Sequence, residues 1–277
     1  MTWRFLCVVV GMGLTSVGVA HGQDANPVDS VVWKKVHASV FANAPLNAPE
    51  NVITLETPKR AEDAAIVPVA IRSHFPQAKE HFIERIWLIV DNNPSPIAAV
   101  FHFTLESGRA DIETRIRIEE YTHVRAVALT NDGKLYMAAN FVKASGGCSA
   151  PASKDVLAAK VNLGKMRIRV GESPGPGQPA LAQLMISHPN DSGLAMDQVT
   201  RTYAPPHFVR EVQVNHAGKP VMSAEVDFSI SENPNFRFYF VPDGGGQLEA
   251  KVVDNHDLEF VTTVSLGSGS DTASALR

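Results

Sequence analysis

Short apolar segments with a period of two dominate the chain, and turn residues close each one. Ile112, Thr114, Ile116 and Ile118 alternate with Glu113, Arg115, Arg117 and Glu119. That period predicts a strand with the first set inward and the charged set on the outer sheet face. Similar segments predict strands at 52–55, 66–71, 83–90, 98–105, 124–130 and 135–142. Asn92-Asn93-Pro94, Glu106-Ser107-Gly108 and the hairpin signal Asn131-Asp132-Gly133 separate them. A second β region is predicted at 166–170, 180–187, 207–216, 221–230, 235–241, 247–253 and 259–264. Within it Phe236, Phe238 and Phe240 alternate with Arg237 and Tyr239. Helical spacing of Trp33, Val36, Val40 and Phe41 predicts one amphipathic helix within 27–41, and Ser153 caps a short helix predicted at 153–160. Asn93-Pro94 and Asn233-Pro234 each precede a Phe-rich strand at comparable places, which points to two similar small sandwiches.

Composition narrows the function classes. The 277 residues are 44% hydrophobic and 19% charged, with a formal net charge of -4. This supports folded domains and argues against a nucleic-acid binder that relies on a basic face. Arg4, the apolar run 5–20 and the small residues before Gln23 form an export signal expected at 1–22, with no second membrane span downstream. Cys7 leaves with that segment, so the exported chain keeps Cys148 as its one thiol. The expected organisation is a first sandwich at 28–143, an arm and linker at 144–164, a second sandwich at 165–266 and a disordered tail at 267–277.

A single thiol in an oxidising compartment is buried, paired between chains or chemically used. Cys148 lies among Ser145, Gly146, Gly147 and Ser149, small and turn residues that predict an exposed arm rather than a core segment. Gly146 and Gly147 give the arm backbone freedom, and the steps from Val142 to Cys148 span roughly 20 Å when extended. No adjacent base makes a cysteine-hydrolase dyad, so no catalytic residue is assigned. His188, His207, His216 and His256 lack metal-ligand spacing and read as turn or surface residues, with no metal expected. Glu119-Glu120 and the pair Asp254 and Asp257 read as solvated, Gly244-Gly245-Gly246 as a hairpin turn, and Trp33 and Trp87 as core or interface residues. Asn190-Asp191-Ser192 matches a glycosylation sequon, which matters only in a eukaryotic secretory route.

Several motifs then occur in order. Val67-Pro68-Val69, Asp91-Asn92-Asn93-Pro94, Glu113-Thr114-Arg115-Ile116-Arg117, Val124-Arg125-Ala126-Val127 and Asp132-Gly133-Lys134-Leu135-Tyr136 lead to Gly146-Gly147-Cys148. With these the first half resembles SoxY of bacterial periplasmic sulfur oxidation. Arg167-Ile168-Arg169-Val170, Ile186-Ser187-His188-Pro189 with Gly193-Leu194, Pro206-His207-Phe208, Gly218-Lys219-Pro220-Val221 and Ile230-Ser231-Glu232-Asn233-Pro234 come next. With these the second half resembles SoxZ.

The resemblance implies an all-β fold, two immunoglobulin-like β-sandwich domains in tandem with a short N-terminal helix and intramolecular packing between them. It implies Cys148 as the covalent attachment residue for a sulfur species or other thiol-reactive intermediate. Ser145, Gly146, Gly147 and Ser149 become the swinging arm. The protein is then a periplasmic, non-catalytic carrier without a separate cofactor. Here Ser149-Ala150-Pro151 comes after the cysteine and the chain continues, so the arm is tethered at both ends. In this the sequence is similar to fused SoxYZ-like carriers associated with quinoprotein dehydrogenases, which implies partner enzymes of a Sox-like or quinoprotein dehydrogenase pathway and c-type cytochromes. A non-covalent adaptor for such a dehydrogenase is the alternative, and a thiol oxidoreductase is disfavoured because no resolving cysteine is present.

Overall fold

The computed structural model describes residues 27, 30–150, 161–172, 175, 177–196 and 200–266. The export signal, the helix expected at 153–160 and the tail lie outside the described residues. Helix α1 (Val31–Phe41) is followed in the first half by β1 (Leu46–Asn47), β2 (Ile53–Glu56), β3 (Val67–Ser73), β4 (Ile83–Val90), β5 (Ile97–Phe103), β6 (Ile112–Ile116), β7 (Thr122–Thr130) and β8 (Leu135–Val142). The second half contains β9 (Met166–Val170), β10 (Ala180–Ile186), β11 (Val209–His216), β12 (Lys219–Val226), β13 (Asn235–Phe240), β14 (Gln247–Asp254) and β15 (Glu259–Ser265). Among the described residues, no helix is long and apolar enough to cross a membrane.

Each half is a two-sheet sandwich, and the halves join edge to edge in both layers. One sheet runs β1-β8-β7-β4-β5-β12-β11-β14-β15, the other β2-β3-β6-β13-β10-β9. Strand β5 pairs antiparallel with β12, setting Phe101 opposite Ala224 and Phe103 opposite Met222. Strand β6 pairs with β13 through Ile112 opposite Phe238 and Glu113 opposite Arg237. Packing between the halves is therefore main-chain pairing, and one apolar core runs through both. Phe101 meets Phe236 edge-on across the seam, with ring centroids 6.2 Å apart. The seam also removes four open strand edges, those of β5, β12, β6 and β13, from solvent.

Burial keeps to the period of two where neighbouring segments leave the outer face open. Phe236, Phe238 and Phe240 are buried, as are Ile112, Thr114 and Ile116. Outer-facing Glu113 bridges Arg72 at 2.6 Å and Arg237 at 2.9 Å across both halves. Helix α1, N-capped by the Ser30 hydroxyl accepting from Trp33 N–H at 3.1 Å, covers the outer face of the larger sheet. There Trp33, Val36 and Phe41 pack with Trp87, Ile89, Val127 and Leu135. Both tryptophans are core residues, in agreement with the sequence.

Candidate functional site

Strand β6 ends at Ile116, and the alternation ends with it. Arg117, expected on the solvated face, is only 2% exposed. The reason lies in three remote segments that meet over the strand end. Asn93 fixes the backbone there: its side-chain amide donates to Arg117 O at 2.8 Å and to Ser229 Oγ at 3.0 Å, and its Oδ1 accepts from Glu119 N–H at 2.9 Å. Arg117 N–H itself donates to Ser229 O at 2.7 Å, from the second half.

The Cys148 segment lies against this strand end. Gly146 and Gly147 N–H donate to Glu119 O (2.8 Å) and Ile118 O (2.9 Å). Glu119 then clamps the next two residues: its Oε2 accepts from the N–H groups of Cys148 (2.8 Å) and Ser149 (3.0 Å), and its Oε1 accepts from the Ser149 hydroxyl at 2.9 Å. From the second half, Ser192 Oγ donates to Cys148 O at 2.5 Å. Arg117 Nη1 donates to Gly147 O at 3.2 Å.

The expected exposed arm is thus corrected to a docked one. Cys148 is fully buried, while Ser145 and Ser149 remain exposed. The two glycines serve fit as well as freedom. Gly146 has φ +82°, a left-handed conformation that side chains disfavour, and a Cβ on Gly147 would stand 2.6 Å from Ala64 C and 2.8 Å from Ile118 N. Glu119, expected to be solvated, is a clamp that the sequence pattern did not reveal. Its place at a strand end two residues past a buried position carried no local signal.

The electrostatics of the docked thiol are unfavourable to ionisation. Burial, then the negative Glu119, push Cys148 up to about 12, with Arg117 opposing. The docked cysteine is a protonated thiol, and a thiolate nucleophile requires the segment to open. Burial also lowers Arg117 below the ordinary arginine range.

Beside this junction sits a second cluster. His188 and Asp254, expected at turns or in solvent, are fully buried, and His216 is buried as well. Among the described residues, His188, His207 and Asp254 form a group of metal-type donors within 4.8 Å of one another. Their hydrogen bonds favour protons over a metal. His188 Nδ1 accepts from Asn190 N–H at 3.1 Å, which puts its own proton on Nε2, aimed at Asp254 Oδ2 3.5 Å away without a well-aligned bond. His207 Nε2 lies 2.7 Å from the same oxygen, and Oδ1 accepts from His256 and Leu258 N–H, both at 2.9 Å. Burial pushes the Asp254 carboxyl up, but these donors hold it below its usual range. His188 is pushed down to about 4 by burial, then by His207. The cluster shapes the 188–192 loop, whose Pro189 and Asn190 carbonyls lie 3.5 and 3.4 Å from Arg117 Nη2 and whose Ser192 holds Cys148.

Comparisons with known proteins agree with the two-part organisation. Residues 37–148 match the family described as sulfur oxidation protein SoxY, and residues 168–265 match sulphur oxidation protein SoxZ. No curated protein matches the chain. Among solved structures, it is similar to the sulfur carrier protein SoxY from Chlorobium limicola f thiosulfatophilum, at 26% identity over 40% of this chain and 90% of that one, TM-score 0.34. A superoxide reductase (neelaredoxin) from Ignicoccus hospitalis is similar at 15% identity over 37% of this chain and 96% of that one, TM-score 0.33.

Proposed function

We propose, for a chain that belongs to the SoxY and SoxZ sulfur oxidation families with one domain of each in tandem, that Cys148 covalently anchors a sulfur species carried between partner enzymes. Family membership supports a carrier role in sulfur oxidation. The observation that carries the finer reading is the position of the thiol. The SoxY match ends on Cys148, and the segment bearing it is held by Glu119 from the SoxY half and Ser192 from the SoxZ half. The protein presents its cargo without catalysing the conversion. It acts in the periplasm, with Sox-like or quinoprotein dehydrogenase enzymes and their c-type cytochromes as partners.

Docking makes carriage a two-state process. In the closed state the thiol is protonated and shielded. Opening breaks the Ser192 bond, worth about 0.5–1.5 kcal/mol net, and the bonds to the Glu119 carboxylate, worth up to about 1.5–3 kcal/mol each and less where Ser149 is exposed, so an open state several kcal/mol above the closed one stays accessible to partners. Once exposed, the thiol returns toward the ordinary cysteine range and reacts as thiolate.

Intact mass spectrometry of the protein from native periplasm without reductant, beside Cys148→Ser, tests this. A reducible sulfur-containing adduct absent from the variant is the expected result, and an unmodified thiol while the pathway is active overturns it. A non-covalent adaptor is the second reading, favoured by the full burial of Cys148. In that case Cys148→Ser leaves partner co-purification and pathway flux unchanged.

A further inference from the structure

The environment of Arg117 contains an imbalance that the carrier role alone leaves unused. Its guanidinium is buried, yet its hydrogen-bond partners are neutral carbonyls: Gly147 at 3.2 Å, Asn190 at 3.4 Å and Pro189 at 3.5 Å. These are long contacts, since charge-assisted bonds to carboxylates run about 2.7–2.9 Å. Its Nε is buried with no partner at all. Among the described residues no carboxylate pairs with it directly, and the acids that act on it, Glu232 first and then Asp191 and Asp63, do so from a distance. Taking a cation out of water without a directly bonded counter-ion costs several kcal/mol, a cost that a purely structural residue of similar volume, such as methionine, avoids. A charge with no directly bonded counter-ion thus stands beside the residue that carries the thiol, with Nη1 on the carbonyl of Gly147.

We propose that Arg117 is the charge-selecting residue of the Cys148 site: its guanidinium takes an anionic group carried on the Cys148 sulfur as its counter-ion. This deepens the carrier function proposed above and rests on it. When the segment lifts from Glu119, Gly147 O leaves Nη1, and that donor turns to the carried anion. Glu119 repels the same anion, so the two side chains work together. The carboxylate loosens the loaded segment, and the guanidinium keeps the cargo from drifting into solvent. A neutral or cationic group on the sulfur gains nothing from Arg117.

Methanethiosulfonate reagents test this on the intact protein. The Cys148 thiolate attacks the sulfenyl sulfur of the reagent, a protein–S–S–R bond forms, and the S–SO2 bond breaks. Methanesulfinate leaves with the electron pair, and the thiol proton goes to buffer. The step needs no outside oxidant. Sulfonatoethyl (anionic), trimethylammonioethyl (cationic) and methyl (neutral) reagents are compared, each rate divided by that for free cysteine. The anionic reagent is expected to be preferred over the cationic one by at least about tenfold in the wild type, as a single charge in a shielded site allows. Arg117→Met removes the preference, Arg117→Lys keeps part of it, and the neutral reagent reports any general loosening. The anionic adduct also melts higher than the cationic one in the wild type but not in Arg117→Met.

Labelling without charge preference in the wild type overturns the role of Arg117 and leaves the carrier function intact, as does a preference that survives Arg117→Met. Failure of every reagent to modify Cys148 in the folded protein overturns both. The wild-type ratio alone decides the matter if Arg117→Met does not fold.

Discussion

Two buried arginines of the SoxY half, Arg125 on Asp91 and Arg117 beside Asn93, show what different burdens the same side chain can carry. Arg125 on β7 is fully buried and forms a fork with Asp91, Nε to Oδ1 at 2.8 Å and Nη2 to Oδ2 at 2.6 Å. A further bond reaches Pro27 O at 2.7 Å, and the Trp33 ring lies 4.4 Å from the guanidinium carbon. The Trp33 contact ties the site to α1, and the Asp91 fork cancels the charge where it stands. Arg117 is nearly as buried but meets only long carbonyl contacts at the junction of the two halves. A satisfied charge is architecture. One that no carboxylate pairs directly, beside a thiol, is the basis of the anion-selecting role proposed for Arg117.

The comparison can be broken at four points, taken from the largest expected effect to the smallest. Asp91→Ala strands the Arg125 cation and is expected to cost about 3–5 kcal/mol in urea unfolding. A loss under about 1 kcal/mol would mean that Arg125 does not depend on its carboxylate.

Acidification acts instead on the 188–192 loop that contacts Arg117. His188 falls from 6.5 when unfolded to about 4 when folded, so the unfolded chain binds the extra proton between those values. Stability is fully present above about pH 6.5 and declines toward pH 4, by about 3 kcal/mol in all. Protonation removes the acceptor for Asn190 N–H, so hydrogen exchange should rise first in the 188–192 loop and leave the Arg125 region protected. His188→Asn should flatten that part of the profile, and an unchanged profile would exclude the link.

Gly147→Ala forces a Cβ into the Ala64 backbone and should cost about 1–3 kcal/mol while speeding Cys148 labelling by a neutral reagent. Unchanged labelling would mean that the glycine contact does not hold the segment closed. The smallest effect is expected from Arg117→Met. Loss of three long hydrogen bonds is offset by relief of a buried charge, so the urea midpoint should imply a change within about 1 kcal/mol. A loss as large as that of Asp91→Ala would erase the distinction between the two arginines.

The strands were legible because their cause is local. Alternation of the β13 phenylalanines and the turn at Asn131-Asp132-Gly133 fixes which backbone segments extend and which residues face inward, whatever lies above them. The two similar halves, the helix carrying Trp33 and the singularity of Cys148 beyond the apolar N-terminal run were visible on the same terms. The sequence missed the short strand β1, whose two residues pair in parallel with β8 and leave no period to detect. It also missed the strand-level fusion of the halves, because edge pairing is a property of partners far apart in the chain.

Small residues around Cys148 suggested reach, and the tertiary structure turned them into fit. Glycine permits both, and only the Ala64 carbonyl lying against Gly147 decides between them. Sequence by itself determined the β elements, their inward faces and the identity of the candidate thiol, since these depend on neighbours within a few positions. Tertiary structure alone decided that Arg117 is buried, that Glu119 is a clamp and that His188, His207 and Asp254 meet. Outer-face residues are covered or left open by segments from elsewhere in the chain, and no local period records which of the two will happen.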